Sequence, residues 1–338
     1  MRVGLVYDRF GDTPRPPCAP DDWDAEYEPE ATVAALEAAL RRLGCTPVRI
    51  GSTAALQAAG PLALDAALSI AEGLGPAEGG TRNREAHALV LLELAGVPHL
   101  FSDALALSLS LDKHLTKTVV QAADVATPPW AVLRPGHVTD LAAADALGFP
   151  LFVKPRYEGT ARGITATSRV ETPAALRTEA ARQHAVYRQD LLAERFIDGG
   201  EATVGVVGTG DGARALPVLL RATEAATGIG LHALAEDAAA PFAYRVADAL
   251  TPEAEARAAA MAVAAHRALG LADVSRTDVR IDLDGGVWFL EVNALPTFAP
   301  DGTFAVLAEL AGVPYSAWLA DVLAVSLARL GLRAASRP

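Results

Sequence analysis

The chain has 338 residues, 51% of them hydrophobic and 21% charged, which is ordinary for a globular protein and enough for two or three packed subdomains. Its 41 acidic and 29 basic side chains give a net charge of -12. That charge repels nucleic acid and anionic membranes, so we expect neither as a partner. Two cysteines, Cys18 and Cys45, leave one disulfide possible but show neither a disulfide framework nor a zinc site, which favours a reduced cytoplasmic protein.

The first stretch of the chain alternates strands with helices. Buried strands are predicted by short apolar runs at Arg2–Tyr7, 47–50, 66–70 and 96–100. Helical spacing predicts helices at 30–43 and 85–94. Because strands that alternate with helices form parallel sheets through crossovers, we predict an α/β fold that begins with a parallel-sheet subdomain over residues 1–108.

The rest of the chain predicts two further subdomains of mixed α+β structure, over residues 109–193 and 194–330. Strands are predicted at 130–133, 151–154, 164–170, 191–196, 201–207 and 214–220. Helices are predicted at 111–123, 172–189, 251–269 and 314–330. Two of these helices begin with Thr-Pro, at Thr172 and Thr251, which places an N-cap before a proline in the first helical position.

A β-hairpin is predicted near the C-terminal end. Residues 276–282 alternate polar and apolar side chains and so predict a half-buried strand, and residues 287–293 form the return strand. Between them, Asp284-Gly285 predicts a two-residue turn whose flanking residues face each other.

In that register four polar side chains share one face, because Asp278 faces Glu291 and Arg276 faces Asn293. Two opposed carboxylates repel each other, and a divalent cation between them would remove the repulsion. Two carboxylates and an amide suit magnesium, which keeps its other positions for water and phosphate. The alternative is a solvated face on which Asp278 pairs with Arg276 or Arg280.

Lysines are scarce in this chain, and their positions indicate a phosphate site. Lys154 ends an apolar strand, and Lys113 and Lys117 lie four residues apart on one helix face. The loop 158–163 can bring backbone N–H groups close to an anion, although it can equally be an ordinary turn. Lys117 can likewise be only a surface charge. The chain lacks a Walker pattern, and no dinucleotide fingerprint follows the first strand, which argues against a dehydrogenase.

A strand, a bend and a second strand follow at 191–207. The bend can expose backbone groups to an adenine edge, and Glu194 and Glu201 can hold polar atoms of a ribose or purine. The alternative is that both are exposed glutamates without a role in binding.

These segments, in this order, resemble the ATP-grasp enzymes, and among them the D-alanine–D-alanine ligase group, over about residues 1–320. The likeness rests on Ser110-Leu-Asp-Lys113, Phe152-Val-Lys-Pro155, Glu158-Gly159, Glu194-Arg-Phe with Glu201, Arg276-Thr-Asp278 and Glu291-Val-Asn293. Glu72-Gly73 with Gly79-Gly80 resembles the family's glycine-rich donor-side loop.

The resemblance implies an ATP-grasp fold in which two subdomains clamp ATP. It implies that the nucleotide is bound by Lys113, Lys154, Glu158, Glu194, Phe196, Ile197 and Glu201. Magnesium, for which manganese can substitute, would be held by Asp278, Glu291 and Asn293. Catalytic roles fall to Lys154, Thr160 and Arg276, the last of which would stabilise a developing oxyanion.

Three departures from the family pattern concern the parts that recognise amino acids. Thr160 and Ala161 stand where the ligases usually carry two serines, and the N-terminal glycine pair with its following Ser-x-Glu is missing. The stretch 221–236, which matches the family's mobile lid, has neither lysine nor tyrosine. We therefore expect the family's chemistry on substrates other than D-alanine, as in specialised metabolism. The expected substrate contacts are Glu26, Glu72, Gly73, Arg221 and His232.

The implied reaction activates a carboxylate as an acyl phosphate and joins it to an amine, with release of ADP. The expected partners are therefore a small carboxylate and a small amine, and the resemblance also implies a homodimer. Two alternatives stay open. One is a nucleotide-binding sensor that has lost turnover, and the other is a kinase that makes a stable phosphorylated product.

Overall fold

The computed structural model of the chain describes residues 1–60, 62–230, 234, 244–246 and 250–332. The described part contains three sheets that follow one another along the chain, each packed against helices. Both cysteines are free thiols, with Cys18 exposed and Cys45 buried.

The first sheet is parallel, as predicted from the alternation of strands and helices. Its strands, in the order β2-β1-β3, are β1 (Arg2–Tyr7), β2 (Thr46–Gly51) and β3 (Ala66–Ile70). The helices of this region are α1 (Glu30–Arg42), α2 (Thr53–Ala58) and α3 (His87–Leu94). The strand predicted at 96–100 forms only a single bridge between His99 and Ala67. The ladder cannot extend towards residue 96, because Pro98 has no N–H to donate.

Two consecutive helices replace the single helix that was predicted at 111–123. They are α4 (Ala104–Leu111) and α5 (Lys113–Ala122). Asp112 separates them with an extended backbone, and its side chain accepts hydrogen bonds from the N–H groups of His114 and Leu115. An N-cap of this kind starts a new helix and gives it a new direction.

The second sheet is antiparallel and has the order β4-β7-β5-β6. Its strands are β4 (Trp130–Leu133), β5 (Leu151–Pro155), β6 (Arg169–Val170) and β7 (Leu191–Arg195). Its helices are α6 (Val138–Asp145) and α7 (Pro173–Tyr187). The predicted cap of α7 is confirmed, since the Thr172 side chain accepts from the N–H of Ala175. The long strand predicted at 164–170 is wrong, because a short 3-10 helix over Ala166–Ser168 takes up most of it.

The third sheet is also antiparallel, with the order β10-β9-β8-β11-β12. Its strands are β8 (Gly199–Val207), β9 (Arg214–Glu224), β10 (Tyr244–Val246), β11 (Val274–Asp282) and β12 (Val287–Asn293). The helices are α8 (Pro252–Ala268), α9 (Thr303–Leu310) and α10 (Tyr315–Arg329). The limits of the three subdomains stay a prediction, and the one placed after residue 193 falls inside β7.

Two apolar cores fix the third sheet to the first region of the chain. In one core, α1 packs against α10, and Leu36 and Leu323 are both fully or almost fully buried. The other core joins α3 and α5 to β12 through Leu92, Val120 and Phe289. The return strand of the C-terminal hairpin is therefore held by residues far from it in sequence.

Within the described ranges, no single helix is long and apolar enough to cross a membrane. Only α9 and α10 taken together, with a bend of 109° between them, reach the necessary length and composition.

Candidate functional site

The C-terminal hairpin has the polar pairing that the sequence predicts. In the antiparallel pair of β11 and β12, Asp278 lies opposite Glu291 and Arg276 lies opposite Asn293. The predicted register of these four residues is therefore confirmed.

The predicted turn of this hairpin, in contrast, is wrong. Asp282 and Gly286 close a loop of three residues, because Asp282 donates its N–H to the Gly286 carbonyl at 2.9 Å. The longer loop shifts the pairing by one residue, and a β-bulge at Leu290 shifts it back before Glu291. The longer loop and the bulge each shift the register by one residue in opposite directions, so the polar pairs are those that were predicted.

The bulge also changes which side chains share the face. Leu290 and Glu291 are neighbours in sequence, and in a regular strand they would point to opposite sides. Here both line the same cleft. The bulge thus adds an apolar side chain beside the carboxylate on the functional face, which a regular strand would not allow.

The charges around Glu291 are balanced by two lysines from other elements. Its Oε2 atom lies 3.6 Å from Nζ of Lys113 and 3.7 Å from Nζ of Lys154. Burial acts to raise the pKa of the Glu291 carboxyl, but these two ammonium groups outweigh it and hold that pKa below its usual value. On the facing strand, Arg276 donates to Asp278 at 3.2 Å. The pairing of Asp278 with Arg276, which was predicted as the alternative to a metal site, is therefore present together with the opposed carboxylates.

The donor set at the hairpin fits a hard divalent cation. Within the described ranges, no group of three or more His, Cys, Asp or Glu side chains is arranged to hold a metal ion. A site here therefore depends on two carboxylates, from Asp278 and Glu291, together with the amide oxygen of Asn293. That oxygen accepts one hydrogen bond, from the N–H of Leu295 at 2.9 Å, and keeps a second lone pair. Oxygen donors of this kind are those that magnesium takes.

Glu194 bridges two buried lysines. Its carboxylate lies 2.8 Å from Nζ of Lys117 and 2.9 Å from Nζ of Lys154. Burial alone would raise the pKa of the Glu194 carboxyl, but the two lysines lower it to about 2. Glu194 therefore remains ionised at all physiological pH values, and it fixes the position of Lys154.

The surface alternative for Lys117 is wrong. The side chain is fully buried, and its ammonium group donates to Oγ1 of Thr127 at 2.6 Å besides pairing with Glu194. Burial lowers the pKa of Lys117 to about 8 in spite of the neighbouring carboxylate. Helical spacing put Lys117 on the face of Lys113, but it could not show that this face is covered by β4 and β12.

A cleft of about 610 Å³, here called the apolar cleft, opens between β5, β7 and the hairpin. The predicted nucleotide residues on its wall are Lys154, Glu194, Phe196, Ile197 and Glu201. Its apolar lining also includes Phe152, Ile164, Ile229 and Leu290. The guanidinium groups of Arg169 and Arg280 lie over the Phe196 ring, 4.4 and 4.7 Å from its centroid, and hold it in place.

The glycine-bearing loop 158–163 is bound to the N-terminal part of the chain. Gly159 donates its N–H to Glu26 at 2.5 Å, and Gly163 donates to Asp22 at 2.9 Å. These two N–H groups are therefore bonded to the protein's own carboxylates. In the described structure, the N–H groups of Thr160 and Ala161 have no such partner, and both residues have positive φ angles of 44° and 57°. Only this middle part of the loop can serve the predicted anion contact.

Two buried arginines that the sequence analysis missed hold this loop. Arg84 donates two hydrogen bonds to Glu26, at 2.7 and 2.9 Å, and Arg162 contacts Glu26, Glu78 and Glu158. Arg84 is fully buried although it lies in a polar stretch with no periodic pattern. No local signal distinguishes it from an exposed arginine, because its partners are far away in sequence.

A second cleft, of about 490 Å³ and here called the acidic cleft, lies further along the hairpin, at Arg276 and Asn293. Its charged lining consists of Glu26, Glu72, Glu85, Lys113, Glu158, Arg276 and Glu291. Thr160 and Asn293 also line it. Glu291 belongs to the walls of both clefts, so the two meet at this carboxylate.

Three of the predicted substrate residues lie outside both clefts or outside the described residues. Gly73 sits in a turn with a φ of 70° and donates its N–H to Asp8 at 2.8 Å. Arg221 lies on β9 and donates to Thr303 at 3.2 Å. His232 lies outside the described residues. Their substrate roles stay predictions.

Comparisons with known sequences all identify D-alanine–D-alanine ligases as relatives of this chain. A family model described as D-ala D-ala ligase C-terminus matches residues 119–324. D-alanine–D-alanine ligase of Cupriavidus necator is 35% identical over 237 residues, which is 70% of this chain and 70% of the relative. The enzyme of that name from Ralstonia nicotianae is 36% identical over 246 residues, or 72% of this chain and 71% of the relative.

Solved structures resemble the whole chain in fold. D-alanine–D-alanine ligase from Bacillus anthracis complexed with ATP has a TM-score of 0.70 at 22% identity and covers 98% of both chains. VanG D-Ala:D-Ser ligase from Enterococcus faecalis has a TM-score of 0.71 at 17% identity, over 96% of this chain and 99% of the other. These likenesses confirm the predicted ATP-grasp fold class.

Proposed function

Because the chain belongs to the D-alanine–D-alanine ligase family, we propose that its apolar cleft binds ATP and its acidic cleft binds the reacting carboxylate and amine. The single observation that carries this proposal is the place of Glu291, which lines both clefts. In the proposed reaction, the phosphoryl group is transferred close to this carboxylate.

In the first half of the reaction, the substrate carboxylate attacks the γ-phosphate of ATP, which gives an acyl phosphate and ADP. Lys113 and Lys154 lie on either side of Glu291 and neutralise charge that spreads over the phosphoryl oxygens. Magnesium, when bound by Asp278, Glu291 and Asn293, supplies further positive charge to the phosphates. Glu194 keeps the ammonium group of Lys154 charged and in position.

In the second half, the amine attacks the acyl carbon and phosphate leaves. Arg276 lines the acidic cleft beside Thr160, where it can face the oxyanion of the tetrahedral intermediate. The free N–H groups of Thr160 and Ala161 offer further donors for the same charge. We propose substrates other than D-alanine, since the residues around this cleft depart from the family pattern, and a product of specialised metabolism would fit. The homodimer and the cytoplasmic location stay predictions.

The test is ADP release with every pair of a panel of amino acids and dipeptides. We expect release that requires magnesium, stops when EDTA is added, returns with manganese, and needs both an acid and an amine. Release with one substrate alone would mark a kinase. Nucleotide binding without release for any pair would mark a sensor.

A matched pair of variants tests the placement of the metal. Asp278→Asn should reduce the rate of ADP release about 100-fold, because it removes a charge that faces Glu291. Asp284→Asn makes the same chemical change at the exposed tip of the same hairpin and should leave the rate unchanged. Equal rates for the two variants would contradict the proposed site.

A further inference from the structure

Two glutamates of the acidic cleft form no ion pair with any described residue. Glu72 follows β3 and Glu85 precedes α3, and both line the cleft. In the described part of the chain, no lysine, arginine or histidine lies within ion-pair distance of either carboxyl group. The carboxyl groups of Glu72 and Glu85 lie within hydrogen-bond reach of each other.

The other carboxylates of this cleft are neutralised by the protein itself. Glu26 and Glu158 share Arg84 and Arg162 with the neighbouring Glu78, and Glu291 lies close to two lysines. Among the described residues that line this cleft, Glu72 and Glu85 are a surplus of negative charge that no ion pair offsets.

Burial makes this surplus costly. Glu85 is only 8% exposed, and a buried carboxylate without a cation is unfavourable. Burial and the nearby Glu26 raise the pKa of Glu85 to about 7, and burial likewise raises the pKa of Glu72 well above its usual value. A cation bound beside the two carboxyl groups would offset the cost of ionising them inside the cleft.

We propose that Glu72 and Glu85 bind the basic side chain of one of the two substrates, a guanidinium or an ammonium group that the reaction does not consume. This inference rests on the proposed function and specifies its substrate class. Two adjacent carboxylates suit a guanidinium well, because its planar N–H groups can serve both of them. The net negative lining of the cleft favours the same class of substrate.

The test compares basic amino acids with neutral amino acids of the same shape. Calorimetry on the full chain, with and without ADP and magnesium, measures the affinities of arginine against citrulline and of lysine against norleucine, in both stereochemical forms. We expect at least one basic amino acid to bind about 10-fold or more tightly than its neutral counterpart. Equal affinities for both pairs, or no binding of any of the four, would overturn the inference.

Variants then locate the preference. Glu85→Gln and the less buried Glu72→Gln each keep the size of the side chain and remove its charge, and each should abolish the preference. Glu93→Gln, on the exposed side of α3, should retain it. A preference that survives in both cleft variants, with folding verified by thermal unfolding, would place the cation elsewhere and overturn the inference.

The same panel separates this inference from the proposed function. If neutral amino acids support ADP release and basic ones show no advantage in binding, the ligase function stands and the cation site fails. If basic amino acids bind preferentially but no pair gives ADP release, the cation site stands and the ligase function fails.

Discussion

The two clefts on either side of Glu291 are built in opposite ways. In the apolar cleft, Glu194 has two cationic partners, Lys117 and Lys154. In the acidic cleft, Glu72 and Glu85 form no ion pair with any described residue. Under the proposed function, the first would hold ATP in one position, whereas the second would be completed by the positive charge of a substrate. The difference would then separate the part that performs the chemistry from the part that selects the substrate.

Replacement of the residue common to both clefts should have the largest effect. Glu291→Ala should lower kcat/KM by about 1,000-fold or more, because it removes a proposed metal ligand and leaves Lys113 and Lys154 close together without a counter-charge. Steady-state ADP release measures this. Glu309→Ala, at an exposed site on α9, is the control. Activity near that of the wild type in Glu291→Ala would contradict the role of this carboxylate.

The next effect concerns only the apolar cleft. Glu194→Gln leaves two buried ammonium groups without their carboxylate and should lower the free energy of unfolding by about 3 kcal/mol. The pKa of Glu194 is depressed from an ordinary 4.5 to about 2. The contribution of Glu194 to the free energy of unfolding is therefore present above about pH 4.5 and is lost as the pH falls towards 2. Denaturant unfolding at pH 7 measures the difference, and a variant as stable as the wild type would show that the bridge is not needed.

In the acidic cleft, the same kind of substitution should have the opposite sign. The pKa of Glu85 is raised from an ordinary 4.5 to about 7, by burial and Glu26 against the opposing charges of Arg84 and Lys113. Its contribution to stability is therefore greatest below about pH 4.5 and is lost as the pH rises through 7.

Glu85→Gln removes this penalty. The free energy of unfolding of the variant, relative to that of the wild type, should therefore rise by about 1–3 kcal/mol when the pH is raised from 5 to 8. Urea unfolding of both proteins at the two pH values measures the change. If the two proteins differed in free energy of unfolding by the same amount at both pH values, Glu85 would not titrate between them, and the prediction would be wrong.

The smallest effect tests the apolar wall. Phe196→Leu keeps an apolar side chain but removes the ring over which Arg169 and Arg280 lie, so ATP should bind about 3- to 10-fold more weakly. Calorimetry with ATP and magnesium measures this, and the affinity for the amino acid substrates should not change. A loss in the acidic cleft as well would mean that the two clefts are not independent.

The residues that line the apolar cleft were easier to find in the sequence, because they lie in short segments with clear patterns. The family, the ATP-grasp fold class and the class of ATP-dependent ligase that forms a C–N bond are confirmed by the family model and the relatives. The pairing of Asp278 with Glu291 followed from alternation alone. Lysines on apolar strands could be recognised for the same reason.

The acidic side was less predictable, because its contacts join residues that are far apart in sequence. Arg84 meets Glu26 across 58 positions, and Gly159 meets Glu26 across 133. No periodic pattern encodes such a meeting. Glu85 was read only as part of a helix, since its place on the cleft depends on how α3 packs against α5 and β12.

The bulge at Leu290 has a consequence for any change of length in the hairpin. The distance of Glu291 from the tip is set by two irregularities, a loop with one extra residue and a strand with one extra residue, which offset each other. Shortening the loop alone, or deleting Leu290 alone, would slide one strand past the other and separate the two carboxylates. Both deletions together would restore the alignment. The hairpin therefore tolerates length changes only in pairs, and grafts or loop exchanges at this tip should be planned with the bulge included.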